Sequence, residues 1–169
     1  MKKVGIVMGS DSDLPVIEKA VKLLRELDIP FEAHVFSAHR TPDQARDFAR
    51  GAREAGFGVI LAAAGMAAHL AGAVAAHSLL PVIGIPVEGG ALNGFDALLS
   101  TVQMPGGIPV ATVGIGSGGA TNAALLAAQI LAVENASIRR RLAADRRRRA
   151  AKVVEADAEL NGAHGPDVC

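Results

Sequence analysis

The chain has 169 residues, half of them apolar, with 17 basic and 17 acidic side chains and so no formal net charge. That length suits one domain burying roughly two-thirds of its unfolded surface, and the even balance removes any global pull toward nucleic acid or an anionic membrane. Five Phe with no Trp or Tyr leave an aliphatic, Ala-rich core and little with which to stack bases. The single cysteine, Cys169, cannot close an internal disulfide, which agrees with a reducing compartment. Val4 to Met8 is too short for a signal-peptide core, and the Ala-rich run from Ala62 is interrupted by His69 and His77 before it could span a bilayer. A soluble, cytoplasmic protein with no membrane partner is expected.

In chain order, Val4–Met8 reads as a buried strand and Gly9-Ser-Asp-Ser-Asp13 as the loop after it. Apolar residues at 16, 17, 20, 21, 23, 24 and 27 give helical spacing over Leu14–Leu27. Phe31–Phe36 is a second strand, and Thr41-Pro42 opens a second helix with Thr as N-cap and Pro at the first helical position. Further strands fall at Val59–Ala64, Val82–Pro86 and Val110–Ile115, each followed by a helical or loop segment. Strands that alternate with helices, and that are apolar almost throughout, predict a five-stranded parallel sheet covered on both faces. The flavodoxin-like order is the expectation, although the residues alone do not determine it. A domain over 1–133 is followed by a basic helix over 134–160, then by a tail over 161–169 that reads as disordered. Eight basic residues and one acid, Asp145, occupy positions 139–152, while Ile138, Leu142, Arg149 and Val153 form only a thin stripe. That pattern fits a helix that is solvated or packed on a neighbouring subunit.

In an open parallel sheet, ligands bind beyond the carboxyl ends of the strands, near the point where strand order reverses. Three polar clusters follow the first three strands: Gly9, Ser10, Asp11, Ser12 and Asp13; Ser37, Ala38, His39, Arg40, Thr41 and Pro42; and Gly65, Met66, Ala67, Ala68, His69 and Leu70. The first joins a glycine and two hydroxyls to a helix start, which suits a phosphate or an ordinary N-cap. One of its acids would then face a ribose hydroxyl, because two acids beside a phosphate repel it. In the second cluster His39 is a candidate general acid/base and Arg40 a clamp for phosphate or carboxylate. His69, in an apolar segment, is open to reading as a core residue or a site residue. His77 lies near the same helix face, but no carboxylate or cysteine completes a metal set. Gly114-Ile-Gly-Ser-Gly-Gly119 matches a dinucleotide fingerprint by letters, yet it follows the fifth strand and lacks the later acid. The arginines at 146–149 could hold nucleic acid, but a solvated or bridging helix is the commoner outcome.

Gly-Ser-Asp-Ser-Asp at 9–13, Ser-Ala-His-Arg-Thr-Pro at 37–42, Ala-Ala-His-Leu at 67–70, Val-Gln-Met-Pro-Gly-Gly-Ile-Pro-Val-Ala-Thr at 102–112 and Asn-Ala-Ala-Leu-Leu-Ala at 122–127 resemble the PurE family, in order, from about residue 4 to 133. The resemblance implies a flavodoxin-like three-layer sandwich with an extended C-terminal helix. It also implies conversion of N5-carboxyaminoimidazole ribonucleotide to the 4-carboxy isomer in purine biosynthesis, without metal, ATP or organic cofactor, by a homo-octamer. By motif, Ser10, Asp13 and Arg40 would bind the nucleotide, His39 would move the proton, and the Gly65–Leu70 loop with His69 would enclose the reacting carboxyl. Arg40 and the Ala-Ala-His-Leu run point to the mutase branch rather than to the sister enzymes that carboxylate aminoimidazole ribonucleotide directly. Met66, Ala71 and Gly106 depart from the commoner family residues but remove no expected functional group. A non-catalytic nucleotide-binding module is the reading of a different kind, and it would tolerate substitution of His39.

Overall fold

A computed structural model describes residues 1–163. Five parallel strands, β1 (Lys3–Met8), β2 (Phe31–Val35), β3 (Phe57–Gly65), β4 (Val82–Val87) and β5 (Ala111–Thr112), form one sheet in the order β2-β1-β3-β4-β5. This is the flavodoxin-like order. The three central strands are buried along nearly their whole length, as their unbroken apolar character requires. The edge strand β2 alternates polar and apolar, with Glu32 outward and His34 stacked on Phe36 at 5.0 Å between ring centroids.

Helices α1 (Leu14–Glu26), α5 (Gly116–Ala132) and the start of α6 (Ala136–Ala163) cover one face; α2 (Pro42–Gly51), α3 (Leu70–His77) and α4 (Phe95–Val102) cover the other. In α1 the predicted spacing is realised, with Ile17, Ala20, Leu23 and Leu24 buried. Asp28 takes a left-handed φ of 49° and ends the helix before Pro30. In α5 the inward face is almost pure alanine: Ala120, Ala123, Ala124, Ala127 and Ala128 are fully buried. Such a face lets the helix lie close to the sheet. The Gly114–Gly119 run belongs to the entry of this helix. Gly116 has φ +74°, and a Cβ on Gly119 would overlap the Gly114 carbonyl. Glycine serves a tight strand-to-helix turn there.

Two elements differ from the sequence reading. β5 was expected over 110–115 but pairs only at Ala111–Thr112. Val113 N still donates to Gly84 O at 3.2 Å, and Gly114 then begins the turn into α5. The stripe on α6 is buried only at its start. Ile138 is fully buried, whereas Val153 is 70% exposed. Asp145 is buried and pairs with Arg148 and with Arg149, the latter at 2.6 Å, while Arg141 reaches Asp28 at 3.2 Å. Helix α6 runs through Ala163, so of the tail expected over 161–169, residues 164–169 lie outside the described residues. Among the described residues no helix is long and apolar enough to cross a membrane.

Candidate active site

The chain leaves β1 at Met8, and Gly9 N donates to Ala63 O at 3.0 Å, so the first loop is still tied to β3 as it departs. Residues Asp11–Asp13 form a single 3₁₀ turn with a capping box: Ser12 N donates to Ser10 Oγ at 3.3 Å, and Ser10 N to Asp13 Oδ2 at 3.1 Å. Asp13 is 7% exposed. Burial pushes its carboxyl above the ordinary value, against the opposing pull of the Ser10 and Gly9 amides and the Arg40 charge. Asp11 is turned to the loop itself, accepting from Ser12 N at 3.0 Å.

The second loop is organised by Ser37. Its Oγ accepts from His39 N at 3.3 Å and Arg40 N at 3.1 Å, and its backbone N donates to Thr41 Oγ1 at 2.8 Å. Thr41 does precede α2 and Pro42 does open it, but the Thr41 hydroxyl is spent on Ser37 rather than on a helix N–H. The hydroxyl and hydrogen bonds set the direction of the next two side chains. Arg40 Nη2 donates to Gly9 O at 2.8 Å, joining the second loop to the first. His39 points the other way, and its Nε2 lies 2.8 Å from His69 Nδ1, with the rings edge to face at 83°.

The third loop follows β3, whose Gly65 has room for no side chain without crowding Val87 O, 3.2 Å from an added Cβ. Met66 takes a left-handed φ of 55°. Ala68 N donates to Ser100 Oγ at 3.1 Å, so α4 holds this loop in place. His69 is the N-cap residue of α3 and presents its ring to His39.

The three loops enclose one cavity of about 520 Å³ at the carboxyl ends of β1 and β3, where strand order reverses. Gly9, Ser10, Ser12, Asp13, Ser37, Ala38, His39, Arg40, Gly65, Ala67, His69 and Leu70 line it. Asp11 and Ala68 do not: the one caps its own turn and the other is buried beneath the loop. Ala64, Met66, Glu88 and Gly89 line it as well. Glu88 had a legible signal, because it directly follows β4 as the clusters follow β1 to β3. The volume suits a mononucleotide-sized ligand. A hydrogen-bonded pair of imidazoles at its wall can hold one proton between them and hand it to a bound molecule. Among the described residues no three His, Cys, Asp or Glu side chains converge as a metal site would need.

The AIR carboxylase family matches residues 3–152. N5-carboxyaminoimidazole ribonucleotide mutase of Mycobacterium tuberculosis is 56% identical over 158 residues, covering 94% of this chain and 90% of that protein. The mutase of the same name from Pyrococcus abyssi is 56% identical over 84% of this chain and 80% of its own, and that of Escherichia coli K12 50% identical over 90% of each. The crystal structure of Treponema denticola PurE superposes with a TM-score of 0.86 at 28% identity, covering 95% of this chain and 99% of that one.

Proposed function

Because the chain belongs to the AIR carboxylase family, we propose that it is an N5-carboxyaminoimidazole ribonucleotide mutase of purine biosynthesis, with His39 as its general acid/base. The observation that carries the mechanism is the 2.8 Å contact between His39 Nε2 and His69 Nδ1 at the cavity wall. The alternative of direct carboxylation draws no support from the relatives, which are named as mutases at 50–56% identity.

The chemistry needs two proton transfers, one to nitrogen and one from carbon. As the carbamate N–C bond breaks, carbon dioxide leaves and the exocyclic nitrogen takes a proton from His39. The ring carbon then attacks the retained carbon dioxide, forming the new C–C bond, and returns its own proton to His39. The histidine ends as it began, so no outside acid or base is consumed. His69 holds the His39 ring at a fixed angle and accepts or donates across the shared hydrogen bond. Arg40, tied to Gly9 O, and the Ser10–Asp13 loop would seat the phosphoribosyl end. That anchoring makes recapture of carbon dioxide effectively unimolecular. The short side chains of Ala64, Gly65 and Ala67 line the cavity with a small apolar wall against which the gas would be held once a neighbouring subunit closes the site.

The same reading makes the protein a cytoplasmic homo-oligomer, an octamer by the family resemblance. Its apolar surface supports this: Leu92, Phe95, Leu99 and Val102, in and beside α4, are 60%, 66%, 56% and 48% exposed. His39, Arg40 and His69 are also exposed in the single chain, so neighbouring subunits would help close the site. The test is to incubate the protein with N5-carboxyaminoimidazole ribonucleotide and EDTA, without ATP, and to follow the 4-carboxy isomer. Wild type should convert it, and His39→Asn should lose roughly 10²–10⁴-fold in turnover while still binding nucleotide. No conversion by folded wild type would end the mutase reading, and near-normal turnover by the variant would remove His39 from its role.

A further inference from the structure

Helix α6 divides by charge. From Arg139 to Lys152 it carries eight basic residues and one acid, and that acid, Asp145, is buried against Arg148 and Arg149. From Val153 to Ala163 it carries Glu155, Asp157 and Glu159 and no base. Among the described residues Arg139, Arg140, Arg146, Arg147 and Lys152 have no acidic partner, and neither Glu155 nor Glu159 has a basic one.

The helix also divides by packing. Its first half is seated by Ile138 and Leu142 on α5, whereas every residue from Arg146 to Gly162 is exposed, including Val153, Val154 and Leu160 at 70%, 67% and 58%. The stretch beyond Arg149 therefore projects about 20 Å into solvent. A lone helix of that length is marginal in water, and its apolar residues Val153 and Leu160 repeat at i, i+7 with Ala156 between them, forming one unpartnered stripe. Beside the seated half lies a groove of about 560 Å³, floored by Leu125, Ala132 and Leu142 and rimmed by Arg139, Arg146 and Arg147.

We infer that the acidic half of α6 docks in this basic-rimmed groove of a second copy of the chain, and that the exchange is reciprocal. A two-fold axis near Ala150 runs the two α6 helices antiparallel and sets 153–161 of one copy against 139–147 of the other. Both halves are then matched at once, as an isologous contact requires. Val153, Ala156 and Leu160 meet the apolar floor, and Glu155 and Glu159 face the arginines on the rim. A nucleic acid would use only the basic half and would be repelled by the other. The inference rests on the homo-oligomer part of the function proposed above and names the surface that joins two of the copies.

Two variants test it: Arg139→Glu with Arg146→Glu and Arg147→Glu, and separately Glu155→Lys with Asp157→Lys and Glu159→Lys. The first sets an acidic groove rim against the acidic half of its own kind, and the second sets a basic half against the basic rim, so each alone should self-associate roughly tenfold to a hundredfold more weakly in sedimentation at about 50 mM salt. An equimolar mixture of the two should recover the wild-type mass, because each supplies the half that the other lacks. That recovery also shows that both variants are folded. Variants that assemble as wild type does, or a mixture that fails to recover, would overturn the docking while leaving the oligomer itself standing. A wild type that is monomeric throughout would overturn both, and turnover measured on the same samples reports separately on the mutase reading.

Discussion

Gly84 lies in the middle of β4, where α4 crosses the sheet most closely. A methyl group added there would overlap Thr101 Cγ2 and come within 3.1 Å of Val110 Cγ1 and 3.3 Å of Ala71 Cβ. Thr101 cannot simply rotate away. It is 3% exposed and its hydroxyl donates to Ala97 O at 2.6 Å, which fixes the side-chain torsion. Gly84→Ala must therefore either push α4 outward or break that hydrogen bond. Overpacking of this kind costs about 1–3 kcal/mol, and loss of the bond about 1 kcal/mol more. A loss of about 1–4 kcal/mol, the upper end if the bond also breaks, corresponds to a melting midpoint lower by roughly 2–15 °C in a chain of this size. Thr101→Ser removes the obstructing methyl and keeps the hydroxyl. The double variant Gly84→Ala/Thr101→Ser should regain most of the loss, giving a coupling of about 1–2 kcal/mol in a double-mutant cycle. Calorimetry or chemical denaturation at one fixed protein concentration measures it. A Gly84→Ala protein as stable as wild type, or a double variant no better than the single, would refute the account of α4 packing.

Two further outcomes follow from the site. Ser100→Ala leaves Ala68 N without its partner, so kcat/KM should fall about fivefold and exchange of the Ala68 amide should quicken; unchanged exchange would show that α4 does not hold the loop. Asp13 titrates above its ordinary value of 3.8 when folded, so in that window the native state binds more protons than the unfolded chain and its stability falls as pH rises. Melting of wild type relative to Asp13→Asn should accordingly decline as pH rises from 3.8 through the native value, and a relative stability that climbs instead would reverse the sign assigned to burial.

Periodicity made α1 legible because its apolar residues lie on one face, and the central strands were legible because a doubly covered sheet needs unbroken apolar runs. Strand order was not, since no residue within a strand encodes its neighbour; it emerges from how α1 and α5 share one face and α2 to α4 the other. β5 was read too long because the apolar run Val110–Ile115 continues past the last ladder bond into a turn. The loops of the site were visible as polar clusters after strands. The contact between His39 and His69 was not, for these residues are 30 apart in the chain and meet only because β2 and β3, which they follow, both flank β1. Glu88 is harder to see because the Glu88-Gly89-Gly90 run after β4 holds one polar side chain and no hydroxyl or histidine beside it.

The alanine face of α5 has a consequence for motion. Ala120, Ala123, Ala124, Ala127 and Ala128 have no χ1 rotamers to exchange, and they are fully enclosed. The α5 surface beneath β3 and β4 thus has few side-chain degrees of freedom on any fast timescale, while the three loops after β1, β2 and β3 carry long, rotatable groups. Thermal fluctuation is partitioned along the strand axis, quiet at the floor and concentrated at the carboxyl rim. Methyl relaxation should record that gradient, with the alanine methyls of α5 near the rigid limit and Met66, above the cavity, among the most mobile.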